Sequence, residues 1–189
     1  MQPTTEQIRT ALRKAAVMDD PLRQKLAVIA AITKALEPQG IRPVVIGGLA
    51  VAFYTSGGYA TDDVDLAVVG REQFGEALEA LGFTREGRFW THERFAFPIE
   101  APAGALAGKD APLSHVDVDG WPVFILGIED LIIDRLSAYV HWKSRADGEW
   151  VRQLLADHRA IIDQAYLRRK CEERGVANAL VELQQQERL

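Results

Sequence analysis

The pattern of apolar residues in the first quarter of the chain predicts two helices and then a buried strand. Residues 4–17 and a second segment that starts near Pro21 both place apolar side chains on one face at helical spacing. Pro38 and Gly40 end the second segment. The unbroken apolar run of residues 44–46 then predicts a buried strand, because a strand covered on both faces needs no polar alternation.

The next part of the chain mixes short strands with helices. Residues 49–54 predict a short helix, and residues 61–69 predict a strand with charge only at its front end. Residues 71–81 form an amphipathic helical pattern that stops at Gly82. Two further strands follow, at residues 83–90, interrupted at Glu86-Gly87, and at residues 94–100. Pro98 cannot donate a ladder hydrogen bond, which favours an edge position or a strand end for the last of them.

The remaining sequence predicts a loop, a hairpin and a helical C-terminal part. Residues 101–114 are small and form a long loop, which suggests a lid or a partner contact. Residues 115–126 predict a hairpin that turns at Asp119-Gly120. From Ile128 onward the pattern is helical, with a break near Gly175.

These elements indicate an α+β protein. We expect residues 1–126 to form an α+β core that includes the N-terminal helices. Residues 127–189 are expected to form a helical segment packed on that core. A chain of 189 residues is long enough for this arrangement without disulfide or metal staples.

Composition narrows the functional classes. The formal net charge is -5, and no strong basic block argues for non-specific nucleic-acid binding. Cys171 is the single cysteine, so no internal disulfide is expected and a reducing compartment fits. No signal peptide and no apolar run long enough to span a bilayer is evident, which predicts a cytoplasmic protein without a membrane partner. The four histidines show no metal-ligand spacing.

The predicted strand at 61–69 carries a pair of carboxylates with a clear chemical implication. Side chains alternate along a strand, so Asp63 and Asp65 project to the same side. Two adjacent carboxylates repel each other unless a cation lies between them. Oxygen ligands of this kind suit Mg²⁺ or Mn²⁺, which also take phosphate oxygens from a substrate.

Gly47-Gly48 lies between the first strand and the predicted helix at 49–54. Free N–H groups and the helix dipole make such a place an anion site. An anion site and a carboxylate pair in one unit indicate a nucleoside triphosphate bound through its metal. Dinucleotide binding is a weaker hypothesis, because the full Gly-x-Gly-x-x-Gly pattern is absent.

The order Gly47-Gly48, a loop-and-helix spacer, and Asp63-Val64-Asp65-Leu66 resembles the signature of the nucleotidyltransferase superfamily related to DNA polymerase beta. It looks most like the minimal bacterial members, including those of toxin–antitoxin and abortive-infection systems. The resemblance covers residues 43–69 and extends more weakly to about residue 145. It implies a nucleotidyltransferase-like mixed β-sheet flanked by helices. In this chain Tyr59-Ala60 precedes Thr61, where many relatives carry a basic residue.

The resemblance also implies an activity. Members of this family transfer a nucleoside monophosphate from a triphosphate, such as ATP, to a hydroxyl acceptor with two divalent metals. A third carboxylate usually completes the metal site and can accept the proton of the attacking hydroxyl. Glu100 is the first candidate here, and Asp117 is the rival. Asp117 also has an explanation in the turn at Asp119-Gly120.

The predicted site therefore has catalytic and metal-binding residues Asp63, Asp65 and Glu100. Its predicted nucleotide-binding residues are Gly47, Gly48, Thr61, Lys143 and Arg145. The two basic residues could reach triphosphate oxygens, or they could belong to a solvated helix connection.

Two functions of different classes remain open. The first is a metal-dependent nucleotidyltransferase whose acceptor is a small molecule, a protein hydroxyl or an RNA end. The second is a non-catalytic protein of the same fold that binds a partner, as an antitoxin does. A protein partner or a homo-oligomer is compatible with both, and an incomplete third carboxylate would favour the second.

Overall fold

The computed structural model describes residues 2–102 and 111–186. In chain order its elements are α1 (Thr5–Ala15), α2 (Pro21–Leu36), a 3₁₀ turn (Glu37–Gln39), β1 (Val44–Ile46), α3 (Gly47–Tyr54), β2 (Val64–Ala67), α4 (Arg71–Leu81), β3 (Thr84–Glu86), β4 (Phe89–His92), β5 (Phe95–Glu100), β6 (Leu113–Val118), β7 (Trp121–Leu126), α5 (Ile128–His141), α6 (Arg145–Asp157), α7 (Gln164–Glu173) and α8 (Ala177–Gln186).

One mixed sheet of seven strands has the order β3-β4-β5-β2-β1-β7-β6. Strands β1 and β2 at its centre are antiparallel, whereas β1 pairs with β7 and β2 pairs with β5 in parallel. Together with the helices, this sheet confirms the predicted α+β class. Its centre is formed by the strand that precedes the glycine pair and the strand that carries the second aspartate.

Local signals explain where the first two helices begin. Thr4 caps α1 through a capping box, in which its hydroxyl accepts from the Gln7 N–H and its own N–H donates to the Gln7 side chain. The Asp20 carboxylate accepts the first-turn N–H groups of α2, and Pro21 occupies its first turn. Helix α2 packs on α1 and also contacts α3, α4 and β6. Helix α2 therefore packs against other helices and against the sheet.

The prediction that Pro98 lies in an edge strand or at a strand end is wrong, because β5 continues to Glu100. Strand β5 lies inside the sheet, between β4 and β2. The register between β4 and β5 pairs Trp90 with Ile99 but His92 with Phe95, so β5 carries extra residues around Pro98. A proline is tolerated there because a bulge already interrupts the hydrogen-bond ladder.

Two hairpins flank the central strands. The predicted strand at 83–90 is in fact the β3–β4 hairpin, and the predicted interruption at Glu86-Gly87 is where it turns. The β6–β7 hairpin turns at Asp119-Gly120 as predicted, with φ values of 52° and 87°. Positive φ at both positions is the backbone of a type I′ turn. The predicted loop at 101–114 falls mostly on residues 103–110, which lie outside the described residues.

The described chain divides into two compact units. The first comprises residues 2–102 and 113–125, and the second comprises residues 111–112 and 126–186. In the second unit α5 contacts α6, α7 and α8. Packing of residues 127–189 on the core stays a prediction. Within the described ranges, no helix has both the length and the apolar character needed to cross a membrane.

Several charged side chains of the helical unit form ion pairs or hydrogen bonds within it. The Arg135 guanidinium is held by Asp134 and by Asp147, with a 3.0 Å bond to the latter. Glu129 and Asp130 in the first turn of α5 are buried. The Asp163 N–H donates to Glu129, and the Tyr166 hydroxyl donates to both carboxylate oxygens of Asp130.

Asp130→Asn is expected to stabilise the protein at neutral pH. Burial raises the pKa of Asp130 above its ordinary value of 3.8, and the hydrogen bond from Tyr166 offsets part of this rise. Because the folded-state pKa is the higher one, the parent loses stability as the pH rises through the interval between the unfolded and folded values. Asparagine still accepts from Tyr166 and carries no charge. We expect its melting temperature to exceed that of the parent by about 2–4 °C at pH 8, equivalent to about 1 kcal/mol.

The higher melting temperature of Asp130→Asn should disappear below the ordinary pKa of aspartate, because Asp130 is then protonated in both the folded and the unfolded protein. Asp157→Asn is the control, since Asp157 ends α6 in the same unit and is exposed. Thermal unfolding of the three proteins between pH 3.5 and 8 measures the effect. An equal shift at all pH values would show that charge at Asp130 is not its cause.

Candidate active site

The strand register brings two predicted carboxylates to one place on the sheet. Asp65 on β2 lies opposite Ile46 of β1 on one side and opposite Glu100 of β5 on the other. Residues in register on neighbouring strands project to the same face. Asp65 and Glu100 are both partly buried and therefore occupy adjacent positions of one face.

Asp63 lies just before β2, which begins at Val64 and is shorter than the sequence predicted. Its carboxylate is partly buried and accepts a 3.0 Å hydrogen bond from the Thr61 hydroxyl through Oδ1. A local side-chain bond of this kind fixes the approach of the loop to the strand. Thr61 and Asp63, both predicted site residues, are thus in direct contact.

The glycine pair lies within the first turn of α3, not ahead of it as predicted from the sequence. Helix α3 begins at Gly47, and no described side chain caps its N-terminus, so its first N–H groups remain available to an anion. A Cβ atom on Gly47 would collide with Asp65 Oδ2. A Cβ atom on Gly48 would lie 2.7 Å from Thr61 Oγ1 and 3.0 Å from the Tyr59 ring. A side chain at either position would have to displace a neighbouring side chain, and at Gly47 the positive φ of 62° would add backbone strain.

Gly47→Ala is expected to lower stability more than an ordinary glycine substitution. Gly47 has a φ of 62°, which costs an L-residue about 1 kcal/mol, and its new methyl group would collide with the Asp65 carboxylate. Gly87 has a φ of 65°, and no atom lies within 4 Å of the position that its Cβ would take, so Gly87→Ala isolates the backbone cost.

Urea unfolding of both variants measures the difference. We expect the free energy of unfolding to fall by about 1 kcal/mol in Gly87→Ala and by about 2–3 kcal/mol in Gly47→Ala. Equal losses would indicate that the Asp65 carboxylate moves away from the added methyl group at no cost.

Lys25 of α2 is a site residue that the sequence analysis did not find. It is buried, and its ammonium donates to the carbonyl oxygen of Thr61. Burial lowers the pKa of Lys25 below its ordinary value, and the charges of Asp62 and Asp63 offset part of that effect. The signal was present in the sequence, because Lys25 stands at helical spacing between Leu22 and Ile29 on the apolar face.

The two candidates for a third carboxylate lie in different parts of the sheet. Glu100 ends β5 beside Asp65, and its Oε2 lies 3.4 Å from Nε of Arg88, whose side chain is 72% exposed. Asp117 lies on the edge strand β6, three strands from β2, and accepts from the Gly120 N–H at 2.9 Å. Asp117 therefore has the turn-forming contact that the sequence suggested for it.

The predicted basic residues lie in the helical unit. Lys143, with a φ of 54°, is in the connection between α5 and α6, and Arg145 is the first residue of α6. Lys143 is exposed, and Arg145 lies at the exposed start of its helix. Their part in nucleotide binding stays a prediction.

The donor chemistry of Asp63 and Asp65 fits a hard divalent cation, since both offer carboxylate oxygens at the start of one strand. In the described part of the chain, however, no group of three or more His, Cys, Asp or Glu side chains is arranged to hold a metal ion. The aspartate pair therefore fits a cation by its chemistry, whereas a complete three-carboxylate site with Glu100 stays a prediction.

Comparisons with known proteins support the fold. No protein-family model and no curated protein matches this sequence. The crystal structure of an antigenic nucleotidyltransferase-like protein from Paracoccidioides brasiliensis is similar with a TM-score of 0.62 and 16% identity, over 89% of each chain. The solution structure of the antibiotic-resistance factor ANT(2'')-Ia gives a TM-score of 0.51 and 17% identity, over 86% of this chain and 97% of that one. At these identities the likeness shows a nucleotidyltransferase-like fold.

Proposed function

We propose that this chain, which has a nucleotidyltransferase-like fold, is a metal-dependent nucleotidyltransferase. It would move a nucleoside monophosphate from a nucleoside triphosphate to a hydroxyl acceptor. The resemblance to minimal bacterial members of the superfamily extends the proposal to a role in a toxin–antitoxin or defence system. The acceptor class is a small molecule, a protein hydroxyl or an RNA end.

The observation that carries the proposal is the position of the Asp65 carboxylate at the start of α3, where a Cβ atom added to Gly47 would collide with it. A helix N-terminus attracts phosphate, but a carboxylate beside it repels phosphate. Two unit charges of like sign 4 Å apart repel by about 4 kcal/mol at an effective dielectric constant of 20. A phosphate is therefore favoured at this place only together with a cation, which is how a triphosphate is commonly bound.

Each residue of the proposed site would have its own role. Asp63 and Asp65 would hold Mg²⁺ or Mn²⁺, which when bound neutralises charge on the triphosphate and on the leaving pyrophosphate. The first-turn N–H groups at Gly47 and Gly48 would bind phosphate oxygens. Glu100, beside Asp65 on the sheet, would accept the proton of the attacking hydroxyl on its carboxylate.

A second candidate function rests on the state of Glu100. Its carboxylate is paired with Arg88, and the described residues contain no set of three grouped ligands. Such an incomplete site favours a non-catalytic protein of the same fold that binds a partner, as an antitoxin does. Nucleotide binding through Asp63 and Asp65 would be compatible with this function, but acceptor activation would be absent.

The decisive experiment is transfer of label from α-³²P triphosphates. The purified chain is incubated with each of the four ribonucleoside triphosphates, Mg²⁺ or Mn²⁺, and cell extract separated into protein, RNA and small-molecule fractions. We expect one fraction to become labelled in a manner that requires the divalent cation. The Asp63→Asn/Asp65→Asn double variant serves as the negative control.

The two candidate functions predict different results. Label in one fraction identifies the acceptor class and supports the enzyme. No label with any triphosphate, together with a stoichiometric complex between this chain and one purified protein, supports the partner-binding function. Label that persists in the double variant would exclude the proposed site.

A further inference from the structure

A buried lysine reaches the loop that carries the first aspartate. Lys25 is 8% exposed, and its ammonium donates to the Thr61 carbonyl oxygen from the side of α2. The same ammonium lies 5.5 Å from the centre of the Phe97 ring on β5. Lysine is almost never fully buried unless its charge is compensated. Here the compensation comes from a carbonyl, an aromatic face and the nearby charges of Asp62 and Asp63.

Thr61 is held from two sides. Its carbonyl oxygen accepts from Lys25, and its hydroxyl donates to Asp63 Oδ1 at 3.0 Å. The hydroxyl oxygen also lies close enough to the Gly48 backbone that a Cβ there would approach to 2.7 Å. A continuous set of contacts therefore runs from α2 through Thr61 to Asp63.

We propose that Lys25 is a positioning residue for the nucleotide site: it fixes the Thr61 carbonyl, and thereby holds the Asp63 carboxylate in the orientation that binds a cation. This inference rests on the proposed function, which assigns Asp63 to the cation. Lys25 does not need to touch the substrate for this role. Partners that orient a metal ligand commonly change metal affinity about 10- to 100-fold when they are removed.

Simple electrostatics makes the opposite prediction. An ammonium near a cation site repels the cation, so removal of Lys25 by charge alone would tighten metal binding. Loss of positioning would weaken it. The sign of the change in affinity therefore separates the two effects, which is why Lys25→Met is the useful variant. Methionine keeps an unbranched side chain of similar length, and it removes both the charge and the donor.

The test measures binding of Mn²⁺ alone to the full chain, with electron paramagnetic resonance as the readout. We expect Lys25→Met to raise the Kd for Mn²⁺ by about 10- to 100-fold. Lys25→Arg keeps a charge and N–H donors and should recover part of the affinity. The matched control is Lys34→Met on the same helix, where the lysine pairs with Glu37, and it should bind as the parent does.

A double-variant cycle tests the path through Thr61. Thr61→Val removes the hydroxyl that donates to Asp63 and nearly preserves the shape of the side chain. If Lys25 acts through Thr61, the losses in Lys25→Met and Thr61→Val should not add in the double variant. Fully additive losses would contradict a shared path.

Amide hydrogen exchange separates positioning from a general structural role. We expect Lys25→Met to speed exchange in residues 59–63 and to leave the central strands unchanged. Faster exchange throughout the sheet would overturn the inference in favour of a structural role. Mn²⁺ affinity equal to or tighter than that of the parent would overturn it too.

A parent protein that binds no Mn²⁺ would contradict the proposed function, not the placement of Lys25. In that case exchange at residues 59–63 still decides the inference. A local increase in Lys25→Met would support the role of Lys25 in holding the loop. Unchanged exchange there would overturn it.

Discussion

Asp63→Asn and Asp65→Asn are each expected to abolish Mg²⁺-dependent binding of a nucleoside triphosphate. An amide carries no charge and is a much poorer ligand for a hard cation. The cation would then no longer offset the repulsion between phosphate and the remaining carboxylate. We expect affinity to fall at least about a hundredfold, equivalent to about 2.7 kcal/mol. Isothermal titration calorimetry with ATP and with GTP, in the presence and absence of Mg²⁺, measures it.

Asp63→Asn and Asp65→Asn should each change the stability of the protein only slightly, and the two changes should differ. Asp63→Asn relieves repulsion between neighbouring carboxylates and is expected to leave stability unchanged or slightly higher. Asp65→Asn also removes a negative charge beside the N-terminus of α3, which costs about 0.3–1 kcal/mol. Its melting temperature should therefore be equal to or slightly below that of the parent. These small changes would show that lost binding does not result from unfolding.

Asp19→Asn is the control for both variants. Asp19 is exposed and is no predicted ligand, so the variant makes the same change in net charge outside the site. It should bind the triphosphate as the parent does. Unchanged affinity in both Asp63→Asn and Asp65→Asn would remove the proposed site. An equal loss in Asp19→Asn would indicate a general effect of charge.

The order of motifs could be predicted from the sequence because it depends on local patterns. An apolar run, a glycine pair and an alternating Asp-x-Asp each have a period or a turn requirement that a few residues reveal. The fold class followed from these elements, and the structure confirms it. Helix α3 begins two residues earlier than predicted, at Gly47, because the glycines themselves form its first turn.

Contacts between distant segments could not be predicted in the same way. The pairing of Asp65 with Glu100 depends on the register between β2 and β5, which the sequence suggested only through the family resemblance. The inner position of β5 was missed because a bulge near Pro98 has no clear local signal. Lys25 was missed because its position on the apolar face of α2 indicates burial but does not reveal the contact with the Thr61 carbonyl.

Glu100→Ala is expected to separate catalysis from binding. Glu100 lies opposite Asp65 on the neighbouring strand, where its carboxylate could accept the proton of the acceptor hydroxyl. Removal of a general base usually costs about 10²- to 10⁴-fold in rate. We therefore expect label transfer from α-³²P triphosphate to fall at least about a hundredfold, with a smaller loss of triphosphate binding. Initial rates of transfer and calorimetric affinities, measured on the same preparations, check both.

Two further variants test whether Glu100 itself is the base. Arg88→Ala removes the ion-pair partner of Glu100. The Arg88 side chain is 72% exposed and solvated, so its loss should cost little stability, and the variant should retain transfer or gain it. Asp117→Ala removes the rival carboxylate, which accepts from the Gly120 N–H at the hairpin turn. This variant should leave transfer intact. Transfer that survives in Glu100→Ala but is lost in Asp117→Ala would assign the base to Asp117. Transfer retained in both would exclude either carboxylate as the required base and leave Asp63 and Asp65 as the essential pair.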